Sequence, residues 1–188
     1  MKRSYGLLVI LALLAAGAVT LAAAASAGPP VRETSHVEDT FVDDDFCGAG
    51  LAVEVTFVLD IRVHAVPHGR DRLVYFVQHG TRSEVLTSLA NGVWVTSFVR
   101  VLEKDKRVTD NGDGTLTILI LATGNAVLYG PDGKAIARDP GQVQFELVVD
   151  HGGTPNDPED DTELDFRVVK ESTGRSDDFC EAAVAALS

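Results

Sequence analysis

Only two cysteines, one tryptophan and one methionine occur in this chain, and no cluster of lysine and arginine appears anywhere in it. Cys47 and Cys180 are too far apart in sequence to carry the short spacing of a metal-ligand pair, so no cysteine-based metal motif is present. The missing basic cluster removes the usual grip on phosphate backbones. With 28 Asp and Glu against 16 Lys and Arg, and a formal charge of -12, the surface repels them, and no nucleic-acid partner is expected. The acidity reads instead as a solubility device.

Catalytic signatures are missing too. There is no Gly-x-Ser-x-Gly, so His151-Gly152-Gly153, which has the look of an esterase oxyanion loop, has no nucleophile elbow to serve. No P-loop, no Gly-x-Gly-x-x-Gly and no His-Glu-x-x-His occurs. Nucleotide chemistry is therefore unsupported and no cofactor is expected. Carboxylates are numerous, but so many pairs could be nominated for acid–base work that the composition singles out none.

One long hydrophobic run is present. Lys2 and Arg3 precede an uncharged stretch from Gly6 to Ala27 that ends Ala25-Ser26-Ala27 before Pro29-Pro30. That layout predicts a signal peptide over residues 1–27, cleaved after Ala27. The stretch is also long enough, at roughly 20 residues, to be read as an uncleaved membrane anchor. Its alanine content weighs against insertion. No second run of spanning length follows, so the mature chain is expected to be secreted and extracellular, free of the membrane. In that oxidising setting Cys47 and Cys180 are expected to form a disulfide, worth about 5 kcal/mol by loop-closure entropy.

Residues 28–45 are polar and acidic and read as a flexible lead-in, with residues 46–188 as one β domain. Val53, Val55, Phe57, Leu59, Ile61 and Val63 alternate with Glu54, Thr56, Val58, Asp60, Arg62 and His64, the period of a strand with one buried face. Val143 to Val149 and Leu164 to Val168 repeat that pattern. Less regular strands are predicted over 73–77, 84–89, 93–102, 115–122 and 125–129. Asn91-Gly92, Asn111-Gly112-Asp113-Gly114 and Pro131-Asp132-Gly133 supply turns that tolerate positive φ. Asp139-Pro140-Gly141 is read as a bend or bulge within a strand. No sustained helical stripe appears except over Glu181 to Leu187. Together these predict an all-β fold: a single antiparallel β-barrel of seven to nine strands, calycin-like, with a β-sandwich as the runner-up.

Four local features carry a resemblance: Asp45-Phe46-Cys47, Asn91-Gly92, the run Gly124-Asn125-Ala126-Val127-Leu128-Tyr129-Gly130, and Asp178-Phe179-Cys180. In these the chain, from Phe41 to Cys180, resembles uncharacterised secreted actinobacterial β-barrel-like proteins with a terminal cysteine pair. The resemblance implies a compact β-barrel-like domain and no particular activity.

Among candidate sites, His64, His68 and His79 lie near predicted strand ends and turns, where neighbouring hairpins could bring them to a metal; solvated turn histidines are the simpler account. Asp110-Asn111-Gly112-Asp113-Gly114 fails the calcium-loop register, which would need Asp at Thr109 and Glu at Ile120. The loop from Asp150 to Asp161 is the better calcium candidate, through Asp150, Asp157, Asp160 and Asp161. Its alternative is an acidic surface loop stiffened by Pro155 and Pro158. Trp94 and Tyr75 lie in apolar strands and read as core. The functional readings are a monomeric barrel that binds a small apolar ligand, a structural or interaction protein with a surface partner and no pocket, and a barrel enzyme of cyclase type.

Overall fold

The computed structural model describes residues 31–188, so the predicted signal peptide falls outside the described residues. Seven strands follow one another: β1 (Val31–Phe46), β2 (Leu51–His68), β3 (Leu73–Ser88), β4 (Trp94–Asp110), β5 (Thr115–Tyr129), β6 (Ala135–Asp150) and β7 (Thr162–Lys170). One helix, α1 (Phe179–Leu187), comes last. The strands form a single antiparallel sheet in the order β1-β2-β3-β4-β5-β6-β7, each paired with its sequence neighbours.

The all-β prediction therefore holds, and the barrel needs correcting. β1 and β7 are the two ends of the hydrogen-bonded order and do not pair with each other, so the sheet is not closed. An odd number of strands explains part of this. In an antiparallel meander of seven, β1 and β7 run in the same direction, and closure would need a parallel ladder unlike the other pairings.

Several local expectations change with the register. The acidic lead-in is strand β1, paired with β2 from Val31↔Ala65 to Phe46↔Leu51 with an irregularity between Asp43 and Phe46. His79-Gly80 is not a turn but lies inside β3, opposite Arg62 and Ile61. The stretch read as two strands over 115–129 is the one strand β5. Asp139-Pro140-Gly141 makes no bulge, since all three residues pair in register with Ala126, Asn125 and Gly124. The flanking Arg138 and Gln142 carbonyls accept from Asp177 and Thr173, on the side away from β5. Pro140, on the same alternation, points its nitrogen to that side and costs the β5 ladder no hydrogen bond.

Residues opposite each other across a ladder share a face. The face we call inner carries Val53, Val55, Phe57, Leu59, Ile61 and Val63 from β2, and Val95, Ser97, Val99 and Val101 from β4. Leu128, Ala126, Gly124 and Ala122 continue it on β5, and Ala137, Asp139, Gly141 and Val143 on β6. Helix α1 covers one end of this face: Ala183 and Leu187 are fully buried against Val53, Val55, Leu86, Val95, Leu128 and Ala137. At the opposite end Val108, Leu116 and Val149 form a second cluster with Ile118 and Leu147, against which Leu73 and Tyr75 pack from β3, so that this cluster draws on strands β3–β6.

The helix is set by local chemistry. Asp178 caps it by accepting a hydrogen bond from the Glu181 N–H, and Glu181 adds negative charge to the first turn. Cys180 is bonded to Cys47 in the turn after β1, with Cα atoms 5.6 Å apart. Asn91, in the β3–β4 loop, donates from Nδ2 to the carbonyls of Leu187 and Ser188 at the other helix end. The predicted Asn-Gly turn thus also anchors the helix. Trp94 is exposed rather than core, because its place in β4 puts it on the outer face next to the buried Val95. Tyr75 is half-buried, and its hydroxyl accepts from the Val108 N–H at 3.1 Å.

Candidate ligand-binding face

The middle of the inner face, between the helix-covered end and the β3–β6 cluster, is built differently from either. One row across the sheet reads Ile61, Gly80, Val101, Gly124 and Gly141. Three of its five positions, Gly80, Gly124 and Gly141, have no side chain, and we call this row the floor. Ser172 occupies the place a side chain at Gly141 would take, so the floor is covered on the β6 side. The next row on one side holds Val63, Gln78, Glu103, Ala122 and Val143, and on the other Leu59, Arg82, Val99, Ala126 and Asp139. Small residues and polar groups are thus interleaved over the glycine row.

These polar groups are incompletely satisfied. Arg82 donates from Nη2 to Glu84, 2.7 Å away on the same face, and its guanidinium lies 4.4 Å from the centre of the Phe57 ring. Arg82 Nε nevertheless has no partner, and neither do Glu103 Oε1 and Asp139 Oδ2. Asp139 is only 7% exposed. Buried polar atoms are normally paired, with protein or with water, and one left unpaired costs about 1–3 kcal/mol. Two further orphans lie elsewhere: Ser88 Oγ, paired in register with Val53 toward the helix, and Asp161 Oδ1 in the loop before β7.

Burial also shifts the carboxyls. Glu103 is held above the usual carboxylate range by desolvation and then by the charge of Asp105 two residues on. Asp105 is pushed up to about 6 by burial, although its Oδ2 accepts the Phe76 N–H at 2.8 Å. Asp139 is raised by burial and by Asp177, while a hydrogen bond from Ser176 acts the other way. Asp105 on this face therefore titrates closer to neutrality than an exposed carboxyl does.

The residues singled out from sequence lie elsewhere. His64 and His79 sit on the outer face of β2 and β3, whereas His68 ends β2 with its ring 5.4 Å from that of Tyr75. Asp150 closes β6, and Asp157, Asp160 and Asp161 follow in the loop, where Thr154 hydrogen-bonds Asp160 and Asp161 is raised to about 6 by burial and then by Asp160. Among the described residues no group of three or more His, Cys, Asp or Glu is arranged to hold a metal ion. His151 is buried and its Nδ1 accepts from the Gly153 N–H, a contact that shapes its own turn.

Sequence reasoning missed the glycine row and its rim. Glu103 and Asp105 did leave a signal, since they extend the period-2 stripe of Val95, Ser97, Val99 and Val101 with charges where apolar residues would be expected. Gly80, Gly124 and Gly141 left none, because only the register aligns them. Comparison with family models, with curated proteins and with solved structures gives no match, so the reading of this face rests on its own chemistry.

Proposed function

We propose that this is a secreted binding protein whose inner sheet face takes a small amphiphilic molecule, its apolar body along the valine- and isoleucine-lined rows and its polar head over the glycine floor. The observation that carries this is the set of orphaned atoms Arg82 Nε, Glu103 Oε1 and Asp139 Oδ2 around a row in which three of five positions are glycine. One guanidinium stands against the carboxylates of Glu84, Glu103, Asp105 and Asp139, so a head group with N–H donors for Glu103 and Asp139 and a single acceptor for Arg82 Nε complements the site better than an anion. This refines the wholly apolar ligand expected of a barrel interior. Export accords with the Cys47–Cys180 disulfide, and among the described residues no helix is long and apolar enough to cross a membrane.

Native mass spectrometry of protein secreted from an oxidising host, before stringent purification, tests the reading. Bound small-molecule mass is expected on the parent chain and absent from Gly80→Val and Glu103→Leu. The first fills the floor with a side chain; the second removes an acceptor. Bound mass that survives both substitutions would place the ligand elsewhere.

A second reading has its own observation. Asp105, at about 6 and two residues from Glu103 on the same strand face, has the protonation range of a general acid–base residue near neutral pH. Turnover of a bound ligand that disappears in Asp105→Asn while binding remains would assign catalysis to the face. Retained turnover would remove it.

A further inference from the structure

The two edges of the open sheet differ in how they meet solvent. β1 also exposes Val37, Phe41 and Val42, but sets them among Glu33, Glu38, Asp39, Asp43 and Asp44, charge of one sign that keeps the edge from pairing with a copy of itself. β7 is short and interleaves charges of both signs with exposed apolar side chains: Leu164 is 56% exposed, Phe166 46%, Val168 37% and Val169 45%. It pairs with β6 on one side only, which leaves a row of backbone groups pointing outward. An unpaired edge of this kind is a template for another strand.

Its sequence is complementary to itself. Two copies of Thr162–Lys170 laid antiparallel about Phe166 set Phe166 against the partner's Phe166, Leu164 against the partner's Val168, and Asp165 against the partner's Arg167. The two-fold axis makes the last two contacts occur twice, so one register joins a central aromatic pair, two aliphatic pairs and two ion pairs. Phe166 is already held against Phe145 with ring centres 5.1 Å apart, and Arg167 is oriented by its ion pair with Glu146. The same register also sets Glu163 against the partner's Val169, and a one-residue shift toward Lys170 would trade the Phe166 and Asp165–Arg167 pairs for Leu164–Val169 and Glu163–Lys170, so the aromatic pair at the axis is what distinguishes this register.

We infer that β7 is a homodimer interface, in which two copies of this chain pair β7 to β7 about a two-fold axis at Phe166 and continue the sheet from one protomer into the next. The acidic β1 edge takes no part. This interface is independent of the ligand-binding reading.

Sedimentation equilibrium of the secreted, disulfide-bonded chain at micromolar concentration tests it, with circular dichroism to verify folding of each variant. The parent is expected to be dimeric. Phe166→Lys, which puts two ammonium groups at the two-fold axis, and Asp165→Arg, which faces the partner's Arg167 with like charge, are each expected to shift it to monomer, whereas Val42→Lys on β1 leaves the dimer intact. Phe166→Cys is expected to give a covalent dimer on a non-reducing gel. A parent that stays monomeric throughout, or a dimer that persists in both Phe166→Lys and Asp165→Arg, would overturn the inference.

Discussion

At the scale of single residues, the inner face gathers groups that oppose folding at neutral pH. A carboxyl whose pKa is higher in the folded chain than in the unfolded one binds more protons when folded, so its contribution falls as pH rises from the unfolded value to the folded one. For Asp105 that window runs from 3.8 to about 6. Glu103 is shifted in the same direction. His36, raised by hydrogen bonds to Asp60 and then Glu38, also favours the folded state at lower pH, its contribution fading as pH climbs through its folded pKa. Thermal unfolding is therefore expected to give a higher Tm at mildly acidic than at neutral pH. Asp105→Asn should raise the neutral-pH stability by about 1–3 kcal/mol and flatten the profile between 3.8 and 6. An unchanged pH profile in that variant would show that Asp105 ionises normally. Glu103 and Asp105 were visible in the sequence as charges on an apolar alternation, but their significance depends on burial, which period alone does not report.

At the scale of elements, helix α1 and the β3–β4 loop act together on one end of the sheet. The disulfide fixes the start of the helix, Asn91 holds its last carbonyls, and Leu187 fills the space between Val53, Leu86 and Leu128. Leu187→Ala is expected to cost about 2–4 kcal/mol through the cavity it leaves, measured by urea unfolding of the oxidised chain. Reduction of Cys47–Cys180 should likewise lower stability, by about 2–5 kcal/mol. A Leu187→Ala loss below about 0.5 kcal/mol would mean that α1 is not docked. This end was largely legible beforehand: the cysteine pair, the turn at Asn91-Gly92 and the short helical stretch were all readable from residue types. β1 was not, because its acidic side chains resemble a solvated tail and its strand character comes from pairing with β2. His79-Gly80 and Asp139-Pro140-Gly141 misled for a related reason. Glycine and proline usually mark turns, yet here Gly80 and Gly141 lie within long strands, Gly141 beneath Ser172, and Pro140 directs its missing donor away from the β5 ladder.

For the molecule as a whole, the long-stranded meander, the helix at one end and the β3–β6 cluster at the other leave a central stretch of the inner face with little side-chain volume and unmatched polar atoms. The antiparallel all-β class was legible from alternation and turn spacing, whereas closure was not, because it depends on how β1 and β7 meet and no local pattern encodes that. Binding on the inner face is the central claim, and backbone amide shift mapping tests it most directly. With the isotope-labelled chain titrated by a medium-chain alkylammonium below its micelle concentration, the amides of Gly80 and Gly124 and those of neighbouring Glu103 and Val101 are predicted to move first and saturably. Shifts confined to the β7 edge or to outer-face positions such as Thr56, Ser83 and Arg100, or no shifts with any amphiphile carrying an N–H head group, would contradict it.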